Sequence, residues 1–162
     1  RYTALRPAFL KEQGIQLLIC DIDNTLVPHD VAVPDDEAIA FLKSIQDAGI
    51  QITVASNKYQ AATQKLIDHY FPEIHFTAVF GQREGIKVKP DPTVVFDILE
   101  VAKVTKEEVL YVGDSGVDMQ TAANAGVTVC GVTWGFRPRA ELEEFSPQYI
   151  VDTAEEIKRL IL

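Results

Sequence analysis

The stretch IQLLICDIDNT, residues 15–25, decides the fold. Residues 15–20 form a continuous run rich in Ile and Leu. Such a run predicts a strand covered on both faces, as in a parallel sheet flanked by helices. Two carboxylates, Asp21 and Asp23, follow at once. Acids placed directly after a buried strand need water, metal or hydrogen-bond donors to offset their desolvation. The strand end is therefore a candidate site.

Outward from this stretch the pattern repeats. Strand-like runs stand at 50–55, 77–80, 109–112 and 127–132, with a short one at 149–151. Between them, residues 34–48, 58–70, 92–102 and 117–125 space their apolar side chains as helices do, and 153–161 closes the chain in the same way. Gly49 and Gly126 follow two of these helices, where a left-handed C-cap favours glycine. Asp91 before Pro92 predicts an N-cap with proline at the first helical position. Strands alternating with helices imply right-handed crossovers. The expectation is a doubly wound α/β fold with a parallel sheet of five to six strands and helices on both faces. A length of 162 residues suits one domain over 1–162.

Composition narrows the function. Hydrophobic residues at 47% and charged residues at 24% argue against disorder. A net charge of −9 argues against a nucleic-acid backbone as partner, while a small phosphorylated molecule held by a few local cations remains compatible. No apolar run approaches the roughly 20 residues needed to span a bilayer, and no charged-then-apolar leader opens the chain. Cys20 and Cys130 both lie in apolar runs and predict buried free thiols rather than a zinc site or a disulfide. A reducing cytoplasm is the expected setting.

In doubly wound sheets ligands bind beyond the carboxyl ends of the strands. Ser56 and Asn57 follow the second run, and Asp114 follows the fourth with Asp118 one helical turn on. Lys89 sits on the loop leaving the third. Three carboxylates, a hydroxyl and a lysine are thus aimed at one edge. Structural readings stand beside these. Ser56 or Asn57 also reads as a cap for the helix beginning near residue 58. Ser115 with Asp118 makes an S-x-x-D capping pattern, so Asp118 reads equally as a cap or as support for a metal site. His29, His69 and His75 lack the spacing of a metal site or triad and read as surface or packing residues. Trp134, Phe136, Arg137 and Arg139 read either as lining of the entrance or as loop packing. Residues 141–144 read as a solvated helix face.

Four segments occur in order: DIDNT at 21–25, Ser56, Lys89 within KPDP, and GDSGVD at 113–118. Together, over about residues 16–162, they resemble the haloacid-dehalogenase superfamily of phosphohydrolases. The resemblance implies a magnesium-dependent phosphatase. In it Asp21 is the nucleophile that forms an aspartyl-phosphate, and Asp23 is the general acid and base. Asp21, the backbone carbonyl of Asp23 and Asp114 would hold Mg²⁺. Lys89, Thr25, Ser56 and Asn57 would bind the phosphate, and Asp118 would support the metal ligands. The implied partner is a small-molecule phosphate ester.

Many members of this superfamily carry an inserted cap. Only about thirty residues separate Asp23 from Ser56, and a similar number separate Ser56 from Lys89; a helix and a strand fill each interval. A capless form is expected, with only a short turn around 27–33 near the opening. At finer grain, GIQLLICDIDNTLVP at 14–28 resembles the capless subclass that includes phosphatidylglycerophosphate phosphatase-like proteins. VASNKYQAATQKLIDHYF, GQREGIKVKPDP and VGDSGVDMQTAANAG, from residue 54 onward, resemble phosphoglycolate phosphatases, which normally carry a cap. A natural capless relative, a cap-deleted domain and an engineered fusion all fit, and the fusion is favoured. An open site predicts weak, broad activity on small esters unless a homo-oligomer covers it, with Trp134 and Phe136 as contacts. A phospho-accepting receiver domain is the alternative, and Asp23 argues against it because a receiver needs no acid there. An inert scaffold is a third reading.

Overall fold

The computed structural model describes residues 14–22, 36–85, 87–133 and 139–162. Asp23, Thr25, His29, Trp134, Phe136 and Arg137, with the turn expected around 27–33, lie outside them. Strand β1 (Leu17–Cys20) is followed by helix α1 (Asp36–Asp47), β2 (Gln51–Tyr59) and α2 (Gln60–Tyr70). Next come β3 (Phe76–Gln82), α3 (Thr93–Ala102), β4 (Val109–Gly113) and α4 (Gly116–Ala125). The chain continues through β5 (Thr128–Val132), the short α5 (Arg139–Glu143), β6 (Tyr149–Val151) and α6 (Ala154–Ile161).

The six strands form one sheet in the order β3-β2-β1-β4-β5-β6, and every pairing is parallel. This is the doubly wound architecture that the alternation predicts. β1 lies between β2 and β4, and all four of its residues are fully buried. Leu18 and Cys20 face an apolar layer built with Phe41, Leu42 and Ile45 of α1, Ile67 of α2 and Ile157 and Leu160 of α6. Leu17 and Ile19 face the opposite layer, made by Val95 and Ile98 of α3, Met119 and Ala122 of α4 and Leu142 of α5. Successive side chains on a strand point to opposite faces, so a strand with helices on both sides must be apolar throughout. Cys20 and Cys130 are free thiols within the first layer, and burial raises the pKa of both.

Element ends follow local chemistry with two corrections. Gly126 terminates α4 at φ 73°, and Gly49 after α1 has φ 83°, the left-handed region expected of both. Helix α3 begins at Thr93, one residue later than the proline signal suggests. Asp91 still serves its start, because Asp91 Oδ1 accepts from the Thr93 amide at 2.9 Å. Helix α2 begins at Gln60 rather than near residue 58, because β2 stays extended to Tyr59, which pairs with Gln82 of β3. Neither Ser56 nor Asn57 therefore caps α2. The interval between Ser56 and Lys89 is occupied by the end of β2, α2 and β3.

Candidate active site

The strand order reverses at β1. Chain progress from β1 to β2 and β3 moves one way across the sheet, and β4, β5 and β6 lie the other way. Such a switch point leaves a crevice at the carboxyl ends of the two central strands. Asp21 is the first residue beyond β1 and Asp114 the first beyond β4. The Asp21 amide still donates to the Val112 carbonyl at 3.2 Å, so the ladder fixes where its side chain starts.

Lys89 organises the crevice. Its side chain is only 4% exposed, and its Nζ donates to Asp118 Oδ1 at 2.8 Å and to the Ala55 carbonyl at 3.0 Å. It also lies 3.3 Å from Asp21 Oδ1. Burial works against the lysine's charge, but the carboxylates of Asp118 and Asp21 outweigh it and hold the pKa well above the ordinary lysine value. The ammonium is therefore permanent at any working pH. Asn57 clamps the main chain of the same residue: its Nδ2 donates to the Lys89 carbonyl at 3.1 Å, and its Oδ1 accepts from the Lys89 amide at 2.9 Å. The structure thus gives Asn57 a positioning contact. Ser56, buried at the end of β2, accepts from the Lys58 amide through its Oγ at 3.0 Å. A hydroxyl that accepts still has its own proton to donate.

Asp118 combines its two expected readings. Ser115 Oγ accepts from the Asp118 amide at 3.4 Å, as a helix cap does, and donates to Asp118 Oδ2 at 3.2 Å. The Asp118 carboxylate, fully buried, also accepts from Lys89 and from the Tyr111 hydroxyl at 2.9 Å. Tyr111 belongs to this site although it reads in sequence as core of β4. The available signal is a phenol inside a continuous apolar strand, which must find a partner when buried. Gly113 makes the approach feasible: a Cβ there would stand 2.4 Å from the Asp118 Cβ.

Asp21, Asp114 and Asp118 each offer an oxygen within 4.8 Å of the others. Among the described residues three carboxylates gather near the Lys89 ammonium, and the excess of negative charge shows on Asp21. Burial first, and then the negative charge of Asp118, push its pKa up to about 8 despite the opposing pull of Lys89. Its side chain remains 14% exposed, so a ligand can reach it. Hard oxygen donors with excess negative charge suit Mg²⁺. Lys89, Tyr111 and Ser115 all engage Asp118, which fixes its carboxylate beside those of Asp21 and Asp114.

Two peripheral expectations change. Arg139 pairs with Glu143 and Asp152, both at 3.5 Å, at the start of α5. Glu141 does not belong to a simple solvated face, since its Oε2 accepts from the Gly116 amide at 2.9 Å. An anion at the start of α4 offsets the unpaired amides there. His69 is exposed and meets the Tyr70 ring edge-on, 4.5 Å between ring centres, as a surface residue.

A parallel sheet with an acidic crevice at its switch point and a buried lysine among the acids defines a doubly wound α/β domain with a charged site at its strand ends. The profile of the haloacid dehalogenase-like hydrolases matches residues 10–132. The chain belongs to that family. The phosphoglycolate phosphatase of Mesorhizobium japonicum is 34% identical over 130 residues, covering 77% of this chain and 56% of that protein. The phosphoglycolate phosphatase of Pseudomonas putida is 27% identical over 143 residues, covering 88% and 52%. The crystal structure of a “putative phosphoglycolate phosphatase” from Lactobacillus delbrueckii subsp. bulgaricus superposes with a TM-score of 0.76 at 34% identity, covering 80% of this chain and 54% of that one. The chain spans about half the length of the curated relatives it matches.

Proposed function

We propose that the chain is a magnesium-dependent phosphomonoester hydrolase working through an aspartyl-phosphate on Asp21. The observation that supports this best is Lys89, held between Asp21 and Asp118 at the switch point of the sheet. Asp21 is the reachable carboxylate of the crevice, and Asp118 is the buried anchor. A carboxylate oxygen of Asp21 forms a bond to phosphorus as the ester P–O bond breaks, and the leaving oxygen takes a proton from Asp23. Asp23 then accepts a proton from the water that cleaves the acyl phosphate, which frees inorganic phosphate and restores Asp21. Lys89 neutralises the phosphoryl oxygens, and Ser56 and Thr25 donate hydroxyl hydrogen bonds to them. Asn57 holds the Lys89 main chain in place.

Asp21, Asp114 and the carbonyl of Asp23 would hold Mg²⁺. When bound, the ion supplies positive charge that lets an anionic nucleophile and an anionic phosphate approach. Small phosphate esters are the substrate class, and the phosphoglycolate phosphatases among the relatives bring phosphoglycolate into the panel to be tried. A core without a cap insert fits the filled interval between Ser56 and Lys89. The test is a panel of phosphate esters assayed with and without Mg²⁺, with Asp21→Asn as control. Turnover that needs both Mg²⁺ and Asp21 is expected; turnover retained by Asp21→Asn removes the nucleophile, and absence of turnover with every ester removes the activity.

A further inference from the structure

A shallow pocket opens beside the catalytic crevice and shares Ser56 and Lys89 with it. Its remaining wall includes Asn57, Gln82, Arg83 and Lys87. Two cations thus stand next to the phosphate-binding residues, yet the proposed chemistry uses neither. Arg83 is the more informative. Its guanidinium carbon lies 4.6 Å from the centre of the Phe80 ring, so the group is held just beyond the end of β3 by a cation–π contact. Its Nε is buried and has no hydrogen-bond partner. Acidic residues outnumber basic ones by 24 to 15, yet Arg83 forms no ion pair with a carboxylate among the described residues. Leaving a buried donor unpaired costs free energy that a bound acceptor would return. Lys87 is largely exposed and 3.9 Å from Asp91 Oδ2, a loose contact that leaves it able to turn towards the pocket.

We propose that this pocket binds a second oxyanion of the substrate, a carboxylate or a further phosphate, with the Arg83 guanidinium as its anchor and Lys87 as an added charge. The proposal rests on the phosphatase reading and deepens it. It also departs from the sequence-based expectation of broad activity, because discrimination would then reside in the core domain itself. Arginine suits the task, since a fixed planar fork meets a carboxylate or phosphate through two parallel hydrogen bonds.

The experiment measures kcat/KM with Mg²⁺ for two matched pairs: phosphoglycolate against ethyl phosphate, and pyrophosphate against methyl phosphate. Wild type should prefer the member with the second oxyanion in at least one pair, and the pair that shows it identifies carboxylate or phosphate as the ligand. Arg83→Gln should lose that preference by about 10- to 100-fold while changing ethyl and methyl phosphate turnover by less than about 2-fold. Arg83→Lys should fall between, and thermal melting checks that both variants fold. Equal loss on both members of a pair, or no loss on either, overturns the subsite. Wild type inactive on all four compounds overturns the phosphatase reading instead. The subsite is then judged by equilibrium binding of the same four compounds, where Arg83→Gln must weaken only those bearing the second oxyanion.

Discussion

At the residue scale the decisive fact is that Asp21 carries its proton more tightly than an ordinary carboxylate. Burial and the neighbouring Asp118 lift its pKa from 3.8 to about 8. In the unfolded chain Asp21 ionises near pH 4, whereas in the folded, metal-free protein it holds its proton until near pH 8. The folded state therefore binds more protons across that window, and its stability falls as pH rises from about 4 to about 8. Asp21→Asn removes this penalty. In EDTA the variant should melt above wild type, with a gap that widens from pH 5 to pH 8 and then levels off, on the order of a few kcal/mol. A gap independent of pH would show that Asp21 is not the titrating group. Asp118 gives the opposite expectation. Asp118→Ala strips a buried ammonium of its closest partner and should cost about 3–5 kcal/mol in urea unfolding. Tyr111→Phe deletes only one donor to the same carboxylate and should cost about 1–3 kcal/mol. The acids and Lys89 are legible in sequence because charges at strand ends have no apolar role there. Tyr111 is not, because a tyrosine within VLYVG looks like core until its hydroxyl is followed to Asp118.

At the scale of elements, strand interiors were readable and their ends less so. Every apolar run predicted as a strand appears in the sheet, since burial on two faces demands continuous apolar residues. The start of α2 was misjudged because what holds residues 56–59 extended comes from elsewhere in the chain. Asn57 is tied to the main chain of Lys89, thirty-two positions away, and Tyr59 to β3. Local capping preference carries no trace of such contacts. The β4–α4 corner depends on an absence: Gly113 has no Cβ, and the Asp118 carboxylate occupies that space. Gly113→Ala should push Asp118 off Lys89 and Tyr111, lowering both stability and Mg²⁺-dependent turnover. Loss of turnover with an unchanged melting temperature would show that the corner relaxes freely and that the loss has another origin.

Across the whole molecule, the order of strands follows from a few rules once the alternation is seen. Right-handed crossovers from a central β1 put α1 and α2 on one face and α3 and α4 on the other, and the acids gather where the winding reverses. The composition of the chain said nothing of Arg83, whose meaning comes from the ring beneath it and the pocket beside it. The two cysteines have a use that their chemistry alone would not suggest. Cys20 lies at the centre of the sheet and Cys130 two strands away, both sealed in one apolar layer. Their raised pKa values keep the thiols in the unreactive protonated form. They are therefore built-in clocks. In native buffer a thiol reagent should modify both at one shared rate, set by how often the entire sheet comes apart. Modification of Cys130 ahead of Cys20, followed by mass spectrometry of peptides, would reveal instead that the molecule unzips from its β6 margin inward.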